Sequence, residues 1–187
     1  MASFSYDVKI PKDRIAVLIG KNGKIKKEIE EATHSTLDID SKEGDVLVEG
    51  DDPLMLFATK NIIRAIARGF NPDIALRLLT SDYLFELVEI KHFVKNQGHI
   101  LRLKGRVIGK GGKTREIIEE MSDCNMCVYG KTIGVIGPAE KVGIARKAIE
   151  SLLLGSPHAT VYKWLEKQKK RFVEENILSK RKENSEE

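Results

Sequence analysis

Aromatic side chains make up only 6 % of this 187-residue chain, and there is a single tryptophan. That disfavours a nucleic-acid surface built by stacking bases on exposed rings, as in RNA-recognition motifs and OB-folds. Cysteine is scarcer still, with two residues, which fits a reducing cytosol. The two lie in Cys124-Asn125-Met126-Cys127, without a second pair. His34, His92, His99 and His158 lack paired-ligand spacing, so no metal is expected. On a strand, residues three apart also point to opposite faces. No apolar run reaches membrane-spanning length. The opening Met1-Ala2-Ser3-Phe4-Ser5-Tyr6-Asp7 lacks the pattern of a secretory signal, so the cytoplasm is the expected location. The excess of positive charge is small, 32 − 28 = +4. It permits nucleic-acid binding without demanding it. Asp38, Asp40, Glu119 and Glu120 fall mostly on solvated faces and have no nucleophile or ligand cluster beside them. No catalytic constellation and no cofactor site is expected.

What the chain does have is Val107-Ile108-Gly109-Lys110-Gly111-Gly112-Lys113-Thr114, a glycine-rich turn with an apolar approach and a basic exit. The next residues, Arg115 to Met121, have helical spacing at Ile118 and Met121. The turn therefore joins two helices and opens the second. Glycine lets a bulky anion approach the backbone, and the helix start offers unpaired N–H groups and a positive dipole end. Lys110, Lys113 and Arg115 add positive charge. A P-loop would need glycine at Val107, and a dinucleotide fingerprint would need it at Thr114. Both templates fail, and Gly-x-x-Gly between two helices remains.

The motif occurs twice. Ile19-Gly20-Lys21-Asn22-Gly23-Lys24 matches Ile108 to Lys113 at an offset of 109 − 20 = 89. Ile29, Glu30, Leu37 and Ile39 fall on Ile118, Glu119, Met126 and Val128. Val48-Glu49-Gly50 then matches Val135-Ile136-Gly137 at 135 − 48 = 87, so the second copy has a shorter loop. The chain is a duplication, and each copy has room for a modest core.

Periodicity predicts the elements of the first copy. They are a strand Phe4–Ile10, a helix Asp13–Ile19, the turn, and a helix Lys24–Thr33 with Ile25, Ile29 and Ala32 inward. Strands Thr36–Asp40 and Val46–Val48 follow. Asp52-Pro53 opens a long helix with Leu54, Phe57, Ala58, Ile62 and Ala65 as its apolar face, ended by Gly69. Asn71–Leu79 bridges the copies as a short helix. The second copy reads as a strand Tyr83–Ile90, a long approach His92–Gly105, the turn, a helix Thr114–Met121, and strands Met126–Tyr129 and Ile133–Ile136. Pro138 opens its last helix, with Val142, Ala145, Ile149 and Leu152 inward. After Gly155-Ser156-Pro157 comes an amphipathic helix Val161–Ile177, and Ser179–Glu187 is expected to fray.

This order, with Gly-x-x-Gly between the first two helices, resembles the type I KH domain in tandem. The implied fold class is α+β. Each domain (strand-helix-helix-strand-strand-helix) is a three-stranded antiparallel sheet covered by helices, and a C-terminal helix follows. The expected divisions are 1–71 for the first domain, 72–80 for a linker, 81–157 for the second domain and 158–187 for the terminal helix and tail. Such domains clamp the backbone of four single-stranded nucleotides with the turn. The residues expected at RNA are Gly20, Lys21, Asn22, Gly23, Lys24 and Lys27 in the first copy. In the second they are Arg106, Ile108, Gly109, Lys110, Gly111, Gly112, Lys113, Arg115, Met126 and Val128. Ile19, Leu37 and Ile39, like Ile108, Met126 and Val128, either line an aliphatic groove or belong to the core.

Arg106–Thr114, Asn71–Leu79, Ala145–Ile149, Leu153–Pro157 and Val161-Tyr162 further resemble Krr/Dim-type KH proteins of small-subunit ribosome assembly. The compact length and intact first turn look archaeal. The resemblance implies binding near the 3′ end of small-subunit rRNA, with the endonuclease that trims it or another assembly or translation factor as partner; a monomer is expected. A KH-based adaptor, with only the second copy on RNA, is the alternative. Lys163–Arg171 either reaches RNA or a partner, or is the solvated face of a helix packed through Trp164, Leu165 and Phe172.

Overall fold

The computed structural model describes residues 4–94 and 97–183. The first half runs β1 (Phe4–Lys9), α1 (Lys12–Ile19), α2 (Lys24–Thr33), β2 (Thr36–Asp40), β3 (Asp45–Gly50) and α3 (Pro53–Ala67). After α4 (Pro72–Ala75) the second half runs β4 (Tyr83–Glu89), α5 (Ile100–Ile108), α6 (Lys113–Ser122), β5 (Asn125–Tyr129), β6 (Thr132–Pro138) and α7 (Ala139–Leu153). A final helix, α8, covers His158–Glu183. Each half holds one three-stranded antiparallel sheet, ordered β1-β3-β2 and β4-β6-β5.

Local chemistry sets the helix ends. Asp52 accepts hydrogen bonds from the N–H groups of Leu54 (2.8 Å) and Met55 (3.3 Å), and Pro53 fills the first turn of α3. α3 and α7 stop alike. Gly69 and Gly155 take φ of 95° and 101°, and the Phe70 and Ser156 N–H groups reach back to the Ala65 and Ser151 carbonyls. This is the Schellman closure that glycine permits.

Leu18, Ile29, Val46, Ile62 and Ile63 centre one core, and Val107, Ile118, Ile133 and Ile149 the other. Each such side chain contributes about 1.5–3 kcal/mol of burial. The helix-packed face of the first sheet is buried and its other face is largely open, with β3 alternating accordingly. The second sheet is covered on both faces, so β6 is buried from Ile133 to Gly137. Its second cover is the first half. Ile136 joins the first core, and Phe70 meets Phe85 edge-on at 6.0 Å. Tyr129 donates to Asp13 (2.7 Å) across the same junction.

Several expectations change. Ala32, Leu54 and Phe57 are exposed, while Thr33, Leu56, Thr59, Ile63 and Ile66 are buried. The apolar positions of α3 fit two helical stripes, and tertiary contact chose the stripe through Leu56 and Ile63. The approach 92–105 contains the start of α5, whose buried side is Ile100, Leu103 and Val107. Pro138 closes β6, and α7 begins one residue later. α8 starts before Val161 and continues past Ser179 to Glu183, so no fraying begins at 179. Residues 184–187 lie outside the described residues.

Candidate nucleic-acid interface

α1 runs into Gly20 and α5 into Gly109. These glycines share one backbone conformation, with φ/ψ of 72°/175° and 77°/173°. A Cβ there would collide with Ile25 in the first copy and Thr114 in the second. Positive φ and the close approach both demand glycine. The third positions, Asn22 and Gly111, take φ of 55° and 61°, and Gly23 and Gly112 follow at 77° and 84°. Asparagine tolerates this left-handed region better than most residues. The two turns thus have the same shape despite their different third residue. Each is closed by a 3.2 Å hydrogen bond, from Gly23 to the Gly20 carbonyl and from Gly112 to the Gly109 carbonyl.

α2 and α6 start directly after these turns, at Lys24 and Lys113. Their unpaired N–H groups and positive dipole ends therefore lie at the turn. Lys21, Lys24, Lys27, Lys110 and Lys113 are exposed and form no ion pair among the described residues. Nothing lies within 4 Å of a Cβ built on Gly23, Gly111 or Gly112. A chain of phosphates can lie against either turn without displacing protein.

In the second copy a groove of ≈ 340 Å³ separates the turn from β5. Ile108, Gly111, Gly112, Arg115, Cys127 and Val128 line it. Behind the turn a second hollow of ≈ 480 Å³ collects Arg102, Lys110 and Lys113 beside His158 and Tyr162 of α8. Ile108 and Val128 thus stand where an aliphatic groove needs them, and Ile19 and Ile39 are likewise half-buried.

The roles of Met126, Leu37, Arg106 and Arg115 change. Met126 is 3 % exposed and Leu37 1 %, so both are core residues and neither faces a groove. Strand alternation puts them on the inner face. Arg106 sends Nε to the Leu152 carbonyl (3.0 Å) and Nη2 to the Ser156 carbonyl (2.7 Å). It fastens α5 to the end of α7 instead of offering a free charge. Arg14 does the same in the first copy, with Nε on the Ile66 carbonyl and Nη2 on the Phe70 carbonyl. Arg115 is held by Glu119 at 3.2 Å, as Lys26 is by Glu30 at 3.8 Å. These two glutamates also accept the N–H of Met126 and of Leu37.

Sequence reading missed the brace on the second turn. Thr114 Oγ1 and Tyr162 Oη share a 2.8 Å hydrogen bond, and His158 Nε2 lies 2.8 Å from the Arg106 carbonyl. Spacing gives no sign of contacts between residues 48 and 52 positions apart. The terminal helix packs through Val161 and Leu165, with Trp164 and Phe172 half-buried. Lys147 and Lys141 lie over those two rings. Of its basic face, Lys169 donates to the Glu120 carbonyl. Cys124 is buried and its thiol is pushed up to about 11 by desolvation; burial also raises Cys127. Among the described residues no group of three or more His, Cys, Asp and Glu side chains could hold a metal.

The sequence matches two family models, "KH domain" over residues 5–68 and "Eukaryotic type KH-domain (KH-domain type I)" over residues 84–170. It is 46 % identical over 169 residues to a KH domain-containing protein of Methanocaldococcus jannaschii, covering 88 % of this chain and 74 % of that protein. The chain belongs to the tandem KH-domain family of archaeal Dim2p and eukaryotic Pno1. Dim2p from Pyrococcus horikoshii, crystallised in a complex with a/eIF2α and rRNA, superposes with a TM-score of 0.85 at 45 % identity. The match covers 90 % of this chain and 96 % of that one. The pre-rRNA-processing protein pno1 of Aspergillus fumigatus is 36 % identical over 119 residues, 62 % of this chain but 47 % of that protein. The chain thus spans less than half the length of that eukaryotic relative. Among the described residues no helix is long and apolar enough to cross a membrane.

Proposed function

We propose that this KH protein binds single-stranded rRNA near the 3′ end of the small-subunit rRNA and serves subunit assembly without chemistry of its own. The observation that carries this reading is the pair of superimposable glycine turns, each at a helix N-terminus and each ringed by unpaired lysines. The RNA backbone lies along Gly20–Gly23 and Gly109–Gly112. Lys21, Lys24, Lys27, Lys110 and Lys113 supply the neutralising charge, and the bases of the second segment enter the groove between Ile108 and Val128. Relatives support it, since Pno1 proteins are named for pre-rRNA processing and RNA binding and Dim2p is seen with rRNA. The protein acts as a monomer in the cytoplasm, and the endonuclease that trims the rRNA 3′ end is its proposed protein partner.

Crosslinking the protein to cellular RNA and sequencing the captured fragments tests this. Reads should concentrate at the 3′ end of small-subunit rRNA, and an even spread over cellular RNA would overturn the assignment. Salt provides a second check. With up to five lysines on phosphates, the log–log slope of affinity against salt should approach about −3.5 for a single strand, at about −0.7 per phosphate. A flat response would remove RNA as the ligand.

A further inference from the structure

α3 carries Lys60 and Arg64, four residues apart on one face, and Arg68 follows as its C-terminal cap. Among the described residues none of the three has a carboxylate within ion-pair distance. The duplicated half shows what a solvated version of this face looks like. α3 and α7 start at residues 53 and 139, an offset of 86, which sets Arg146 against Lys60 and Glu150 against Arg64. Arg146 is neutralised by Glu86 at 3.0 Å and Glu150 at 2.8 Å. In the first half Tyr6 occupies the place of Glu86, each pairing with the corresponding valine of its sheet. Lys60 therefore lies 4.5 Å over a neutral ring, and Arg64 lies over Phe85. The first copy thus keeps a line of charge that the second has cancelled.

No residue of either glycine turn lines the hollow at this cationic face. The face floors a hollow of ≈ 240 Å³ whose walls are β1 and β4, one outer strand from each sheet. Each outer strand leaves one row of backbone N–H and C=O groups without a neighbouring strand. Arg64 and Phe85 also line an adjoining hollow of ≈ 500 Å³, which is mainly apolar. Leu54, Phe57 and Leu84 stand at it with exposures of 79 %, 58 % and 44 %. Large side chains exposed side by side mark interaction surfaces. Asp7 is the one acid lining the cationic hollow.

From this juxtaposition we propose that the α3–β4 face docks an acidic segment of a partner protein bearing leucine- or phenylalanine-type anchors. Its anchors fill the hollow at Leu54, Phe57 and Leu84. Its carboxylates meet Lys60, Arg64 and Arg68, and its backbone can add to the free edge of β1 or β4. An RNA strand would match the charge alone. It has no aliphatic anchors, and its backbone lacks the alternating N–H and C=O groups with which an extended peptide adds to a strand edge. The proposal is independent of the glycine turns.

A random dodecapeptide display library, selected on the full chain and counter-selected on Lys60→Glu/Arg64→Glu, tests this. The changed positions are outside both cores. The enriched peptides should combine Asp or Glu with Leu, Ile or Phe. A synthetic consensus peptide should lose at least tenfold in affinity with Lys60→Glu/Arg64→Glu, and as much with Leu54→Ser/Phe57→Ser. A single-stranded RNA dodecamer should bind both variants within twofold of the unaltered chain. Three results would overturn the proposal. One is the absence of any peptide whose capture depends on these residues. Another is loss of RNA affinity in the charge variant, which would give the face to RNA. The third is a concentration-dependent dimer, abolished by Leu54→Ser/Phe57→Ser in light scattering, which would make the occupant a second copy.

Discussion

The two halves have the same element order and the same turn geometry but opposite surroundings. The second sheet is enclosed, with its own helices on one face and α3, Phe70 and the junction on the other. The first sheet has one covered face. The second turn is braced from behind by Tyr162 and His158 of α8, while the first half has no terminal helix of its own. Duplication thus placed one unit in the middle of the molecule and left the other with free surface. The middle unit has a supported groove. The outer unit retains an exposed α3 face and a turn of equal charge. Charge at the second turn is no greater than at the first once Arg106 and Arg115 are tied, leaving Arg102, Lys110 and Lys113 against Lys21, Lys24 and Lys27. Any dominance of the second copy in RNA binding has to come from its groove and its brace.

The largest effect separates the two turns. Lys110→Asp/Gly111→Asp should remove nearly all affinity for a long single-stranded RNA, whereas Lys21→Asp/Asn22→Asp should remove part of it. Acids at these places oppose the helix-terminus field that attracts phosphate. Open space around Gly111, and the tolerance of Asp for left-handed φ, keep the fold intact. Titration of labelled RNA, with circular dichroism as the check on folding, measures both variants. A greater loss from the first-turn variant would reverse the ranking and make the first copy the principal clamp.

The next contrast lies in the sheets. Gly134 and Leu47 hold matching positions at the centre of β6 and β3. A Cβ on Gly134 would stand 2.6 Å from the Phe70 ring and 3.2 Å from Phe85. Gly134→Ala should therefore cost about 1–3 kcal/mol through overpacking. Leu47 lies on the partly open face, so Leu47→Ala should cost less than about 1.5 kcal/mol, well short of a core truncation. Urea unfolding of both variants gives the comparison. Equal costs would mean that the two sheets are equally enclosed.

Much of this was legible in the sequence because it is local. The turns, the Asp52-Pro53 cap and the glycine stops of α3 and α7 are set by residues within one helical turn of each other. β6 even advertises its two-sided burial, since Ile133-Gly134-Val135-Ile136-Gly137 has no polar alternation while Asp45-Val46-Leu47-Val48-Glu49 does. Long-range choices left no such trace. Leu54 and Phe57 fit an apolar stripe as well as Leu56 and Ile63 do, and only the position of the sheet decides between them. The tethering of Arg106 was invisible because an arginine beside a phosphate-binding turn looks the same whether free or spent on a carbonyl, whereas the i,i+4 spacing of Arg115 and Glu119 was open to reading. Met126 and Val128 sit two apart on one strand, yet the second lines the groove and the first fills the core. They share a face, and Val128, nearer the end of β5, packs on the core from its rim while also lining the groove.

A smaller difference concerns one buried atom. Ser35 of the first half corresponds to Cys124 of the second, at the same offset of 89. Ser35 Oγ shares a hydrogen bond with Thr33 (2.7 Å), whereas the Cys124 thiol donates to the Ser122 carbonyl (3.3 Å). Desolvation raises this thiol from 9.0 to about 11. The proton is therefore held more tightly in the folded chain than in the unfolded one. Below pH 9 both states carry it, and the stabilising contribution of the neutral buried thiol is complete. As pH rises through 9 to 11 the unfolded thiol ionises first, and that contribution is lost. At pH 10 the loss is about 1.4 kcal/mol, equivalent to a roughly tenfold change in the folding equilibrium. Cys124→Ser installs the hydroxyl of the first half and lacks this titration. The stability gap between the unaltered chain and Cys124→Ser, read from urea curves at pH 7, 9 and 10, should stay nearly constant to pH 9 and then shift by about that amount in favour of the serine variant. A gap that stays constant to pH 10 would mean that the thiol ionises alike in both states and that the second core admits water at Cys124.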